Sequence, residues 1–159
     1  MKTSLIACFI FISALATACG PKMIPGLDIE VPDTPDNRAL LSVMEKFQRA
    51  YETKDVDALL ALASPEFYET CGSSDTDDDY NFEGLREHFT EHFKLIEDIS
   101  LSIALKDVNV EDNKALIDYR FLARYRMNLP SGEQWQIKDD INRMELGKEK
   151  GRWKVRSGM

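Results

Sequence analysis

The sequence predicts an α+β domain, helices first and an antiparallel sheet after them. Two observations carry this. From Thr34 to Ile96 the apolar residues recur three and four apart, the period of a helix face, whereas from Ile99 onward they alternate with period two. Turn signals at Glu111-Asp112-Asn113, Pro130-Ser131-Gly132 and Gly147 to Gly151 then cut the second half into strands joined by short connections, the mark of antiparallel pairing.

The first helix is expected from about Pro35 to Thr53. Thr34 suits its N-cap, Pro35 its first position and Asp36 its first turn. Leu40, Leu41, Met44, Phe47 and Tyr51 form its apolar face. Asp55 caps a shorter helix carrying Val56, Leu59, Leu60 and Ala63, which Ser64-Pro65 ends. Glu66 to Thr70 reads as a short strand with Phe67 inward, and Gly72 to Asn81 as a polar loop. A third helix is expected from Phe82 to Glu97, with Phe82, Leu85, Phe89, Phe93 and Ile96 on one side.

In the sheet half, Ile99, Leu101, Ile103 and Leu105 share a face. The parity then moves to Val108 and Val110, which predicts a bulge near Lys106-Asp107. Ala115, Ile117, Tyr119, Phe121, Ala123, Tyr125 and Met127 point one way in the next strand, against Asp118, Arg120, Arg124 and Arg126. Trp135, Ile137 and Ile141, then Met144 and Leu146, make a third long strand with a parity change near Asn142. Trp153 and Val155 close the sheet. Leu40, Phe47, Leu59, Phe89, Phe121 and Trp153 are the expected core.

The N-terminus carries a different signal. Lys2 precedes an uncharged apolar run, Leu5 to Ala16, too short to cross a bilayer and suited to a secretory leader. The junction Ala16-Thr17-Ala18-Cys19-Gly20 resembles the lipobox of bacterial lipoproteins. The resemblance implies a signal peptide over 1–18 and a diacylated Cys19 that partners a lipid bilayer; Pro21, Pro25, Gly26 and Pro32, with no helical period, then make 19–33 the lipidated cysteine and a flexible tether, and the domain runs over 34–159. Gly20 after the cysteine implies the outer membrane, facing the periplasm. An ordinary leader cut near Ala18 is the plainer alternative. The formal charge of −8 disfavours nucleic acid and anionic headgroups. Of three cysteines, Cys8 leaves with the leader, Cys19 is the lipid site and Cys71 stands as a free thiol; without lipidation a Cys19–Cys71 bridge is open.

The layout resembles the nuclear transport factor 2-like (SnoaL-like) superfamily. "NRALLSVMEKFQRAYETKDVDALLAL", Asn37 to Leu62, is similar to its opening helix pair, "YETKDVDALLALASPEF" to its passage into the first strand, and "GRWKVRSG" to its closing strand. The resemblance covers residues 34 to 158. It implies a cone-shaped fold, three N-terminal helices packed on a curved antiparallel sheet. It says little of activity, since the fold hosts isomerases, dehydratases, cyclases and binding domains.

Active members keep polar side chains inside the cone. Alternation with Trp135, Ile137 and Ile141 points Asp139 inward, where a carboxylate is able to act as a general base; a bulge would turn it outward instead. The expected pocket lies between the first helix and the sheet, lined by Phe47, Tyr119, Phe121, Tyr125 and Trp135. Asp75, Asp77 and Asp79 alternate, but Tyr80 and Arg86 stand where a calcium hand needs Gly and Glu. His88 and His92 have zinc-ligand spacing without a third ligand, so no metal and no cofactor is expected. Two function classes follow. One is an envelope lipoprotein that binds a small apolar molecule or an envelope protein, with a homodimer through the sheet face. The other is an isomerase or dehydratase using Asp139. An enzyme needs an inward ionisable group with a hydrogen-bonding partner. The sequence offers only Asp139, which favours binding without turnover.

Overall fold

The computed structural model describes residues 20–70 and 78–159. The expected leader, the lipid site Cys19, the thiol Cys71 and, in the acidic loop, Asp75 and Asp77 lie outside the described residues. None of the described helices is long and apolar enough to cross a membrane.

Helix α1 (Pro35–Glu52) starts as its sequence dictates, with the Thr34 hydroxyl accepting from the Asn37 amide at 3.1 Å. At its other end Lys54 takes a left-handed conformation, φ 55°. That reverses the chain into α2 (Val56–Leu62), capped by Asp55. A two-residue strand β1 (Tyr68–Glu69) pairs with β2 (Tyr80–Asn81), the end of the loop that was expected to be irregular. Helix α3 (Phe82–Phe93) follows, capped by Asn81. It stops four residues short of the expected Glu97. Ile96 instead enters β3 (Ile96–Glu111), opposite Met127, and Lys54 Nζ donates to the carbonyls of Ile96 and Glu97. Apolar spacing alone cannot separate the end of a helix face from the first inward residue of a strand.

Strands β3, β4 (Lys114–Leu129), β5 (Gly132–Glu149) and β6 (Arg152–Ser157) form one antiparallel sheet in chain order. The bulge falls where the parity shift put it, between Leu105 and Asp107. Helix α1 lies across the concave face and is fastened to edge strand β3. Gln48 Nε2 donates to the Leu101 carbonyl at 2.6 Å, and Glu52 Oε1 accepts the Leu101 amide at 2.8 Å. These bonds satisfy backbone groups that a sheet edge leaves open. Leu40, Phe47, Leu59, Phe89 and Trp153 are buried in one core with Ile117, Met144 and Val155. Phe121 is only half-buried, because one side of its ring faces a cavity.

Two expectations are corrected. The β4–β5 pairing is regular from Lys114↔Gly147 to Leu129↔Gly132, so there is no parity change near Asn142. Counting back from the buried Met144 and Leu146, the inward residues of β5 are Asn142, Asp140, Lys138, Gln136 and Gln134. Trp135, Ile137 and Ile141 face outward, at 61%, 67% and 67% exposure. Hydrophobicity misled here because that half of β5 is polar on its inner face and apolar on its outer one. Second, residues 22–33 are not a loose tether. The Asp33 amide donates to the Lys22 carbonyl and the Ile24 amide to the Val31 carbonyl across a Pro25-Gly26 turn, with Gly26 at φ 83°. Val31 is buried at 1% exposure and Pro32 accepts from Asn37 Nδ2, which holds this hairpin to α1.

Candidate functional site

The cone leaves a cavity of about 730 Å³ between α1, α3 and the inner face of β4 and β5. Each wall follows from helical or strand periodicity. Phe47 and Tyr51, one turn apart, come from α1. His88 and His92, again one turn apart, come from α3. Tyr119, Phe121 and Tyr125 come from β4. Their direct partners Asn142, Asp140 and Gln136 come from β5, with Lys138 between them. Glu69 and Tyr80 close one end.

Of the residues expected to line a pocket, Phe47, Tyr119, Phe121 and Tyr125 are gathered here. Trp135 and Asp139 are not: both lie on the outer face of the sheet. Arg120 grips Asp139 through two hydrogen bonds, Nε to Oδ1 at 2.7 Å and Nη2 to Oδ2 at 2.5 Å. Those bonds hold its carboxyl below the ordinary carboxylate range. An ionised, outward, arginine-clamped group has neither the place nor the basicity for proton abstraction. Asp140, one residue on, takes the inward position.

The polar chemistry of the cavity comes from Tyr125 and Tyr119, expected in its lining, and from Tyr51 and His92, which were not. The Tyr51 hydroxyl lies 2.7 Å from His92 Nε2 and 3.2 Å from the Tyr125 hydroxyl, so three groups from α1, α3 and β4 form one hydrogen-bonded chain. Burial raises Tyr51 well above an ordinary phenol, which keeps its proton in place. Three rings from two helices pack around it: Phe93 at 5.2 Å and Phe89 at 6.2 Å from α3, and Phe47 at 5.8 Å from α1, between centroids. The Tyr119 hydroxyl, also raised by burial, donates to the Gly158 carbonyl at 3.0 Å and accepts from Asn142 Nδ2 at 3.3 Å.

His88 is held flat against Tyr80, with centroids 4.2 Å apart and planes 16° from parallel. Its ring nitrogens make no hydrogen bond to another described residue. Both imidazoles keep contact with solvent along the cavity mouth. Partial desolvation nevertheless pushes both below their ordinary value, so they are neutral bases near pH 7. Among the described residues no group of three or more His, Cys, Asp or Glu is placed to hold a metal ion. The available signal for this site was His88 and His92 one turn apart beside the Phe89 stripe; what faces them is set by the sheet.

No protein-family model matches the chain, and no curated protein matches it. Solved structures match it closely in shape and weakly in sequence. A ketosteroid isomerase-like protein from Erwinia carotovora atroseptica superposes with a TM-score of 0.66 at 12% identity, covering 79% of this chain and 94% of that one. A protein of the NTF2-like family from Streptomyces avermitilis gives 0.65 at 13%, covering 77% and 93%. A type 2 hexachlorocyclohexane dehydrochlorinase gives 0.65 at 12%, covering 77% and 82%. At such identities the likeness shows the fold. The chain has the nuclear transport factor 2-like fold, three helices on a curved antiparallel sheet.

Proposed function

We propose that the cavity binds a small, flat, largely apolar molecule carrying one or two oxygen atoms. The observation that carries this is the make-up of its walls: aromatic faces from Phe47, Phe121 and Tyr80 around a hydroxyl chain from Tyr51 and Tyr125. Such a cavity buries a ring by area and orients it by one or two hydrogen bonds. Isomerase-like and dehydrochlorinase neighbours on this fold lend support to a small-molecule site. Isothermal titration of the protein with a panel of aryl ketones and phenols tests it. Saturable binding, weakened by a bulky Gln136→Trp substitution at the cavity wall, is expected. Heat traces indistinguishable from dilution across the panel would remove the reading.

The proposed setting is the bacterial envelope, with the chain anchored through lipid on Cys19. The composition of residues 2–20 supports it. The ordered hairpin starts at Lys22, so the leash from Cys19 is three residues and spans roughly 10 Å at most. The domain would therefore sit against the bilayer. Labelled fatty acid should enter the wild-type protein and not a Cys19→Ser variant; equal labelling of both would exclude the anchor. A partner reading rests on a separate observation. Trp135, Ile137 and Ile141 form an exposed apolar row on the outer sheet face, flanked by the ion pairs Arg120–Asp139 and Arg143–Asp118. A second copy of the chain, contributing the same row about a two-fold axis, fits it.

A further inference from the structure

We propose that the open edge of β3, beside a groove it forms with α1 and the N-terminal hairpin, docks an extended, basic segment of a partner protein, which joins the sheet as a further strand. The groove holds about 330 Å³ and shares no lining residue with the cavity beneath α3. Leu27, Leu41, Met44, Ile103 and Leu105 give it an apolar lining. Gly26, at the tip of the hairpin, opens onto free space: a Cβ built there meets nothing within 4 Å.

The backbone of β3 says what shape of occupant fits. The amide and carbonyl of Leu101 point away from β4, which is why Glu52 and Gln48 can reach them. In an antiparallel ladder the residue two further on repeats that direction. The amide and carbonyl of Ile103 therefore also point out from the sheet edge, and no described residue hydrogen-bonds them there. Two side chains of α1 thus make at Leu101 the bonds a neighbouring strand would make, and stop one step short of Ile103. The edge is also unguarded. Between the register shifts at Ile96/Asp98 and Leu105/Asp107 its pairing is regular, and Ile99 to Leu105 contains neither a charge nor a proline. Sheet edges are ordinarily blunted by those devices; one that lacks them is a template for another strand.

Charge says which strand. Asp28 from the hairpin and Glu45 from α1 line the groove and are exposed, and neither forms an ion pair among the described residues. No lysine or arginine lines it. An extended segment sends successive side chains to opposite sides. Apolar residues of such a segment cover the lining, and basic residues between them reach the two carboxylates. A second copy of this chain fits poorly, because pairing β3 with β3 about a two-fold axis sets one acidic groove against another.

The test titrates ¹⁵N-labelled protein with an end-blocked heptapeptide that alternates valine and lysine. The Ile103 amide is expected to shift saturably and to exchange its hydrogen more slowly, while the Tyr125 amide in the cavity stays in place. N-methylation of three central peptide bonds keeps the peptide's charge and removes its ladder donors, and should weaken binding about tenfold or more. Glutamate in place of lysine should weaken it about fivefold or more, as should the exposed double substitution Asp28→Lys with Glu45→Lys. Ile103→Pro, which deletes the outward N–H, should abolish the interaction; if that variant does not fold, the methylated peptide carries the same question. Equal binding of the methylated peptide overturns strand pairing. Equal binding of the glutamate peptide overturns the basic partner. Shifts at Ile103 that follow protein concentration and ignore the peptide give the edge to a second copy and overturn the proposal. An Ile103 amide that no peptide moves overturns the site.

Discussion

At the residue scale, direction decides chemistry. Asp139 and Asp140 are adjacent and chemically identical, yet one is clamped by Arg120 outside the sheet and the other lines the cavity. Asp139→Asn should therefore leave ligand titrations unchanged. Tyr125→Phe should weaken binding of an oxygen-bearing ligand roughly two- to tenfold, the worth of one hydrogen bond. The opposite ranking would mean that the β5 register is wrong. Gly158 makes a second case. It sits at φ 81°, and a Cβ built on it would lie 1.8 Å from the Arg143 carbonyl oxygen. Its own amide and carbonyl hold Glu69 and Tyr119. Gly158→Ala has to move that backbone, so calorimetric melting should drop by several degrees and the Tyr119 wall should loosen.

At the element scale, the helices owe their place to one buried stripe each. Phe89, on α3, is 1% exposed and packs at 5.7 Å on Phe93. Truncation to Ala should cost about 3–5 kcal/mol in urea unfolding. Phe121→Ala should cost clearly less, since half its ring already faces the cavity; an equal loss at both sites would show that the cavity is filled in solution. The outer face of β5 makes a parallel case. Ile137 is 67% exposed in one chain. Ile137→Glu should leave the monomer's stability nearly unchanged while lowering the sedimentation coefficient, if a second copy covers that row. A wild-type protein that sediments as a monomer at high concentration would exclude the covered face.

At the scale of the whole molecule, the cavity leaves a trace in the pH dependence of stability. His88 and His92 are pushed below the 6.5 they have in the unfolded chain. The unfolded state therefore takes up protons first as pH falls. Their effect is absent above about pH 7 and grows as destabilisation just below 6.5, levelling once the folded imidazoles also protonate. Urea midpoints should fall from pH 7.5 toward pH 5.5 in wild type, with a shallower slope in His92→Gln. The carboxylates held low by arginine, Asp33, Asp118 and Asp139, act in a separate window below their ordinary 3.8. A midpoint that does not move between pH 7.5 and 5.5 would show that neither histidine is desolvated.

By itself, the sequence determined the order of the three helices and four long strands, the caps of α1 and α2, the bulge at Lys106 and the inner face of β4. Each of these is written in local spacing: a period, a cap residue, a turn. The tertiary structure alone decided which face of β5 looks inward and which side chains meet across the cone. Where a strand is polar on its core side and apolar on its outer side, alternation reads backwards, and only pairing with β4 sets its direction. The hairpin of residues 22–33 was hidden for a similar reason, since Pro25-Gly26 reads equally as a linker until the Pro32 carbonyl meets Asn37 of α1. The His92–Tyr51–Tyr125 chain joins positions 41 and 74 residues apart. No periodicity spans such separations; closure of the sheet around α1 brings them together.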